Sequence, residues 1–231
     1  MLPASVKKQK DNMKRTLIFA LALGLLALGG SAKANLIVNG SFESGAFVDN
    51  TGQDTMNLAP GSTAITGWTV TTANLAWIGP SNPFGLTASD GSYFLDLTGY
   101  HDNQPYAGVA ATSISTVIGQ KYEVSFDLGT DPTYNTQLPS IQVSVTGTSP
   151  VTFTATTIST INNWQAFNFD FTATGTSTVI GFVGEGPDLQ KYIGLDNVSV
   201  VPEPTTMVAG TMLLLPFAFS TVRILRRRQT A

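Results

Sequence analysis

The chain contains no cysteine. That excludes a disulfide framework, a thiolate metal site and a cysteine nucleophile. It does not exclude export, because a domain of ordinary size holds a core without covalent staples. Histidine is nearly absent as well. His101 stands alone, so no histidine-based zinc cluster is available. No nucleophile-elbow motif accompanies it, which leaves a Ser-His-Asp arrangement without support. Arginine is missing from Asn35 to Val201, where two lysines, Lys121 and Lys191, face thirteen carboxylates. The net charge of that stretch is −11, and the other ten basic residues lie in the two ends. An acidic domain repels a phosphate backbone, so nucleic acid is not an expected partner. Oxygen donors without competing cations suit hard ions such as calcium. The alternative is that the carboxylates only keep a threonine-rich surface soluble.

The basic ends flank apolar runs. Lys7, Lys8, Lys10, Lys14 and Arg15 precede Leu17–Leu28, a run of 12 residues. That is short for a membrane span and suited to the apolar part of a secretion signal. Small residues at Ala32 and Ala34 fit a signal peptidase, so the mature chain is expected to start at Asn35. Met13, followed by Lys14 and Arg15, is an alternative start. At the other end Pro202-Glu203-Pro204 precedes the 16 apolar residues Met207–Val222 and then Arg223, Arg226, Arg227 and Arg228. A helix of that length covers about 24 Å, slightly less than the ~30 Å hydrocarbon core. Snorkelling arginine stems or local thinning absorb such a mismatch. Arginine clusters stay cytoplasmic, so both ends predict that the middle of the chain lies outside.

This tail resembles the PEP-CTERM sorting signal of Gram-negative bacteria that make extracellular polysaccharide. Motif, helix and arginine cluster occur in the family's order. The resemblance implies recognition by an exosortase, a membrane protease that cuts near the motif. The tail would then be an address, with an inner-membrane intermediate and a final place at the cell surface or in the matrix. A simple single-span anchor is the alternative.

Residues 35–201 show no helical periodicity, and their Thr, Ser, Val, Ile and Phe content with Gly and Pro punctuation favours strands. Tyr122, Val124, Phe126 and Leu128 alternate with polar residues, as do Ile141, Val143 and Val145, and Phe167, Phe169 and Phe171. Further strands are predicted at Ile65–Val70, Leu75–Ile78, Tyr93–Leu97, Val109–Val117, Val151–Ile158, Val179–Val183 and Ile193–Val200. About ten short strands without helices predict an all-β antiparallel sandwich. In the last strand the alternation slips at Asp196-Asn197, which predicts a bulge that re-aims a side chain. The domain plan is a signal peptide at 1–34, a sandwich at 35–201 and a sorting tail at 202–231.

Five short motifs occur in order: Asn35-Leu36-Ile37-Val38-Asn39-Gly40-Ser41-Phe42-Glu43, Gly67-Trp68-Thr69-Val70, Asp90–Gly99, Asn163-Trp164-Gln165 with Phe167–Phe171, and Gly194–Val200. The set resembles the DUF642 and carbohydrate-binding-module group, whose fold is a galactose-binding-like jelly roll. The resemblance implies that the first and last strands lie together and that a structural calcium ties them. Glu43 and Asp196 would be its ligands, with carbonyls from Gly40 and Ser92. The alternative is that both carboxylates make turn hydrogen bonds.

Association with extracellular polysaccharide is the expected activity. Sugars stack apolar faces on aromatic rings while polar groups read their hydroxyls. Trp77, Phe84, Tyr100, Tyr106 and Tyr134 lie in Gly- and Pro-rich surroundings, and Asp102, Asn103 and Gln104 accompany them. Trp68 and Trp164 are expected in the core. No carboxylate pair stands out by spacing, so the domain is expected to be non-enzymatic. A purely adhesive surface protein without a small ligand is the alternative.

Overall fold

The computed structural model describes residues 34–102, 104–133, 137–160, 163–186 and 192–203. Among them there are thirteen strands and no helix. In chain order these are β1 (Thr55–Leu58), β2 (Trp68–Val70), β3 (Leu75–Ile78), β4 (Phe94–Asp96), β5 (Gly108–Ala111), β6 (Ile114–Ser115) and β7 (Lys121–Gly129). There follow β8 (Ser140–Val145), β9 (Val151–Thr154), β10 (Trp164–Thr172), β11 (Ser177–Thr178), β12 (Ile180–Glu185) and β13 (Gly194–Pro202). A six-stranded sheet runs β1-β3-β4-β13-β7-β10, and a five-stranded sheet runs β2-β5-β12-β8-β9. β6 and β11 form a short ribbon. Every pairing is antiparallel. The all-β antiparallel sandwich expected from the alternation is therefore observed.

Period-two patterning places the core. On β7, Tyr122, Val124, Phe126 and Leu128 are buried, and on β8 Ile141, Val143 and Val145 face them from the other sheet. Phe126 meets Phe182 of β12 edge-on at 5.4 Å and stacks on Phe167 of β10 at 5.6 Å. Trp68 joins this core at 6.2 Å from Phe182. The predicted Val109–Val117 strand divides into β5 and β6, because β5 pairs with β2 and β12 up to Ala111 whereas β6 pairs with β11. β1 was not predicted. Its Thr-Met-Asn-Leu sequence carries only two aliphatic side chains, and pairing with β3 supplies the missing order.

The six-stranded sheet is buried on both faces at one end. Leu75 and Trp77 of β3 point into the main core, while Ala76 and Ile78 join Leu86, Phe94 and Tyr192 in a second cluster outside the sheet. This explains the unbroken apolar run of Leu75–Ile78. Trp164 also packs here, against Phe94 at 5.6 Å, and not in the main core where the sequence placed it. Gly129 and Gly194, paired across β7 and β13, make that possible. A Cβ on Gly129 would come within 2.4 Å of the indole. The indole Nε1 donates to Thr87 O at 2.8 Å, so Trp164 pins the segment that crosses the sheet's outer face.

Residues Met1 to Lys33, including Ala32, lie outside the described residues, as do Pro204, the Met207–Val222 run and the four C-terminal arginines. Ala34, Pro202 and Glu203 are described.

Candidate functional site

The two ends of the sandwich meet at β13. Asn35 Oδ1 accepts from Val200 N at 2.9 Å, Leu36 N donates to Val200 O at 2.8 Å, and Val198 N donates to Gly40 O at 2.9 Å. The predicted bulge is present: the β13 register against β7 shifts between Asp196 and Ser199, and Asn197 has φ 51°. It turns Asp196, fully buried, toward the 89–90 turn. Asp196 Oδ2 accepts from Ser89 N at 2.8 Å and Asp90 N at 3.0 Å. Glu43 Oε1 accepts from Ser92 N and Tyr93 N, both at 2.7 Å. Both carboxylates thus hold the same five-residue loop through backbone N–H donors, the turn hydrogen bonds of the alternative reading. Burial pushes the Asp196 carboxyl up to about 7, against the opposing N–H donors.

A second acidic group lies at the end of β13. Carboxylate oxygens of Glu123, Asp170 and Glu203 fall within 4.8 Å of one another. Lys121 Nζ reaches Asp170 at 2.5 Å and is held above its usual pKa by that carboxylate. Glu203 is stitched to the sheet, its N donating to Lys121 O at 2.9 Å and its carbonyl accepting from Gln120 Nε2 at 2.7 Å.

On the outer face of the six-stranded sheet is a cleft of about 110 Å³ lined by Thr55, Ala76, Ile78, Phe84, Asp96, Gly99, Tyr100, Asp102 and Tyr192. β3 and β4 form its floor, and the second apolar cluster forms one wall. Phe84 and Tyr192 pack at 5.9 Å, and Tyr100 Oη donates to Gln53 Oε1 at 3.2 Å. Asp96 is 3% exposed. Its Oδ1 accepts from Thr98 Oγ1 at 2.8 Å, Thr98 N at 3.0 Å and Ile193 N at 3.1 Å. Thr98 Oγ1 also lies 3.1 Å from Asp102 Oδ1, so its one proton is placed to serve either aspartate. Burial pushes the Asp96 carboxyl up to about 7, with Asp102 adding to the effect.

The cleft gathers three of the residues expected to meet sugar: Phe84, Tyr100 and Asp102. Two others are corrected. Trp77 is 1% exposed, because its place on β3 turns the ring inward between Phe47 and Tyr93, at 5.1 and 5.6 Å. Tyr106 is 4% exposed and belongs to the main core. Gln104 is exposed but binds Gly186 O and does not line the cleft. Asn103 and Tyr134 lie outside the described residues. Sequence reasoning missed Asp96, Thr98 and Tyr192. The usable signal was an aspartate inside an apolar strand, on the parity opposite to Leu95 and Leu97.

The family model for DUF642, a protein of unknown function, matches residues 35–200. The chain belongs to the DUF642 family. A curated relative is halomucin of Haloquadratum walsbyi, 27% identical over an alignment of 214 residues that covers 84% of this chain and 2% of that protein. This chain therefore spans only a small fraction of that relative. Among solved structures, a Stig cyclase from Fischerella sp. TAU superposes with a TM-score of 0.50 at 16% identity, covering 76% of this chain and all of the cyclase. A structure described as CBM4 gives 0.39 at 22% identity, over 72% of this chain and 99% of its own. TmCBM61, solved with β-1,4-galactotriose, gives 0.43 at 14% identity, over 74% and 99%. At these identities the cyclase likeness is one of fold.

In this DUF642 domain Asp96 predicts a pH dependence. Its carboxyl binds a proton more tightly in the folded chain, at about 7, than at its usual 3.8. Between those values the native state holds more protons than the unfolded one, so stability falls as pH rises from about 4 to 7. The loss is of the order of 4 kcal/mol for a group this buried. Asp96→Asn keeps the Oδ1 acceptor and cannot ionise. Urea midpoints at pH 5 and pH 8 should differ less in Asp96→Asn than in the parent, and equal differences would exclude Asp96 as the source.

Proposed function

We propose that this is an exported, non-catalytic surface protein whose sandwich associates with polysaccharide through the cleft beside β3 and β4. The observation that carries the reading is the convergence of the half-buried rings of Phe84 and Tyr100 with Asp96 and Asp102 on one concave surface, backed by the buried Tyr192. Rings offer stacking area, and the carboxylates accept from hydroxyls. Among the described residues, the outer face of the five-stranded sheet offers no such platform. It presents Gln142, Ser144, Thr152 and Glu185, tied by Gln142–Glu185 and Thr152–Glu185 bonds at 2.9 and 3.0 Å. Titration with a panel of neutral oligosaccharides should quench or shift aromatic fluorescence, and Tyr100→Ala should weaken binding at least tenfold while leaving the thermal transition in place. No response to this panel or to charged oligosaccharides would remove the reading.

The pairing of Asp96 and Asp102 favours a second reading, hydrolysis of a glycosidic bond. Paired carboxylates are the signature of such sites. Here a shared hydroxyl ties both to one wall, whereas hydrolysis needs them on opposite sides of the bond. Release of reducing sugar that disappears in both Asp96→Asn and Asp102→Asn would establish the enzyme.

Export and sorting rest on the two ends of the sequence: a signal peptidase removes the first, and an exosortase processes the Pro202-Glu203-Pro204 tail in the membrane. Mass spectrometry of the mature C-terminus from cells and medium tests this, and an intact tail in both fractions would leave a permanent anchor. Calcium at the seam is part of the same proposal. Glu43 and Asp196 supply oxygen donors of the right type, and neither hydrogen bond to Glu43 uses Oε2. At a hundredfold excess over Kd, calcium would stabilise by about 2.7 kcal/mol. Chelation should then lower Tm by roughly 5 °C or more, with no effect in Asp196→Asn. An unchanged Tm with no calcium in elemental analysis would eliminate the site.

A further inference from the structure

Asp96 is almost wholly buried, yet its hydrogen bonds use one oxygen. Thr98 N, Thr98 Oγ1 and Ile193 N all donate to Oδ1. Oδ2 receives none of them. Among the described residues, Asn57 Oδ1 is the single sealed side-chain polar atom without a partner. Oδ2 of Asp96 is therefore not sealed. It opens on the cleft that Asp96 lines. In a residue only 3% exposed, an oxygen without a protein donor is poorly served by solvent and favours a donor from the cleft, a charged one most.

The surroundings define that donor. Asp102 lines the same cleft and is joined to Asp96 through the Thr98 hydroxyl, so two acidic groups face one small space. No lysine, arginine or histidine lies among the lining residues. Lys121, the described lysine of the domain, is paired with Asp170. Phe84 and Tyr100, both half-buried, supply aromatic surface, which attracts cations as well as sugar faces. A uronate or sulfated sugar would meet like charge here. A bare metal ion would leave the aromatic and aliphatic lining unused.

We propose that the cleft selects a cationic amino sugar, its free ammonium held by Asp96 Oδ2 beside Asp102 and its ring packed on Tyr100 and Phe84. This deepens the polysaccharide reading above and rests on it. The negative charge of the whole domain raises the local concentration of such a polymer. N-acetylation removes the charge and discards the selectivity.

The test uses the full chain in detergent micelles, titrated at pH 7 with glucosamine tetramer, N-acetylglucosamine tetramer and tetragalacturonate. The glucosamine tetramer is expected to bind at least tenfold more tightly than its acetylated counterpart, and tetragalacturonate not at all. Asp96→Asn should cut glucosamine affinity about tenfold and leave the acetylated tetramer unchanged. Asp102→Asn, at a half-buried position, provides a second variant with a smaller loss in the same direction. Equal or tighter binding of the acetylated or uronate tetramer overturns the selectivity and leaves the sugar reading intact. A glucosamine preference that survives both variants assigns it to overall charge and also overturns the proposal. Absence of binding by all three, and by the neutral panel, removes both.

Discussion

Gly40→Ala should destabilise the protein by about 3 kcal/mol or more, at the upper end of what one methyl group does. The added Cβ would lie 1.8 Å from the carbonyl oxygen of Val198 and 2.9 Å from its carbonyl carbon. Both are backbone atoms of β13, in the bulge between Asp196 and Ser199, and a main-chain carbonyl cannot swing away as a side chain would. The contact also sits where Gly40 O accepts from Val198 N, so relieving the clash breaks the bond that joins the chain's opening segment to its closing strand. Gly175→Ala is the control. Its Cβ would approach nothing closer than 3.5 Å, and its effect should stay within about 0.5 kcal/mol. Urea denaturation of both variants decides the matter, and a Gly40→Ala midpoint equal to that of Gly175→Ala would show that the seam yields.

Trp77→Ala is expected to cost about 3–5 kcal/mol. The indole is enclosed by Phe47 and Tyr93, and its Nε1 donates to Phe42 O at 3.1 Å. Truncation opens a cavity and leaves a buried carbonyl unpaired. If the folded fraction of this variant is isolated, its sugar affinity should match the parent, because Trp77 does not reach the cleft. Tyr100→Ala should do the reverse, with stability within about 1 kcal/mol and binding lost. A Trp77→Ala protein of normal stability would contradict its burial.

Strand content was legible because one side of each long strand is apolar and the other is not. β7 and β8 show this plainly, and each was read to within a residue or two of its observed bounds. The slip at Asp196 was legible for the same reason, since parity cannot change within a regular strand. Trp77 and Trp164 were misread in opposite senses, and for one cause. Both belong to a sheet with apolar cover on both faces, where aromatic residues are wanted on either side and local pattern does not tell core from outer layer. The cleft was half legible. Tyr100 and Asp102 are in a turn that reads as a surface loop, whereas Asp96 and Tyr192 are brought there by the pairing of β4 with β13, nearly a hundred residues apart. No local spacing carries that information.

The position of β13 has a mechanical meaning. It lies in the interior of the six-stranded sheet, bonded to β4 on one side and β7 on the other, and it continues to Pro202 opposite Tyr122. Its cross-strand bonds run perpendicular to the chain. Tension entering at Glu203 would pull along the strand and load those bonds together, in shear, instead of peeling them one at a time. The clasp of Asn35 and Leu36 on Val198 and Val200 adds to the resistance. A domain whose exit strand is built this way can bear force through its C-terminal end without unravelling from that end.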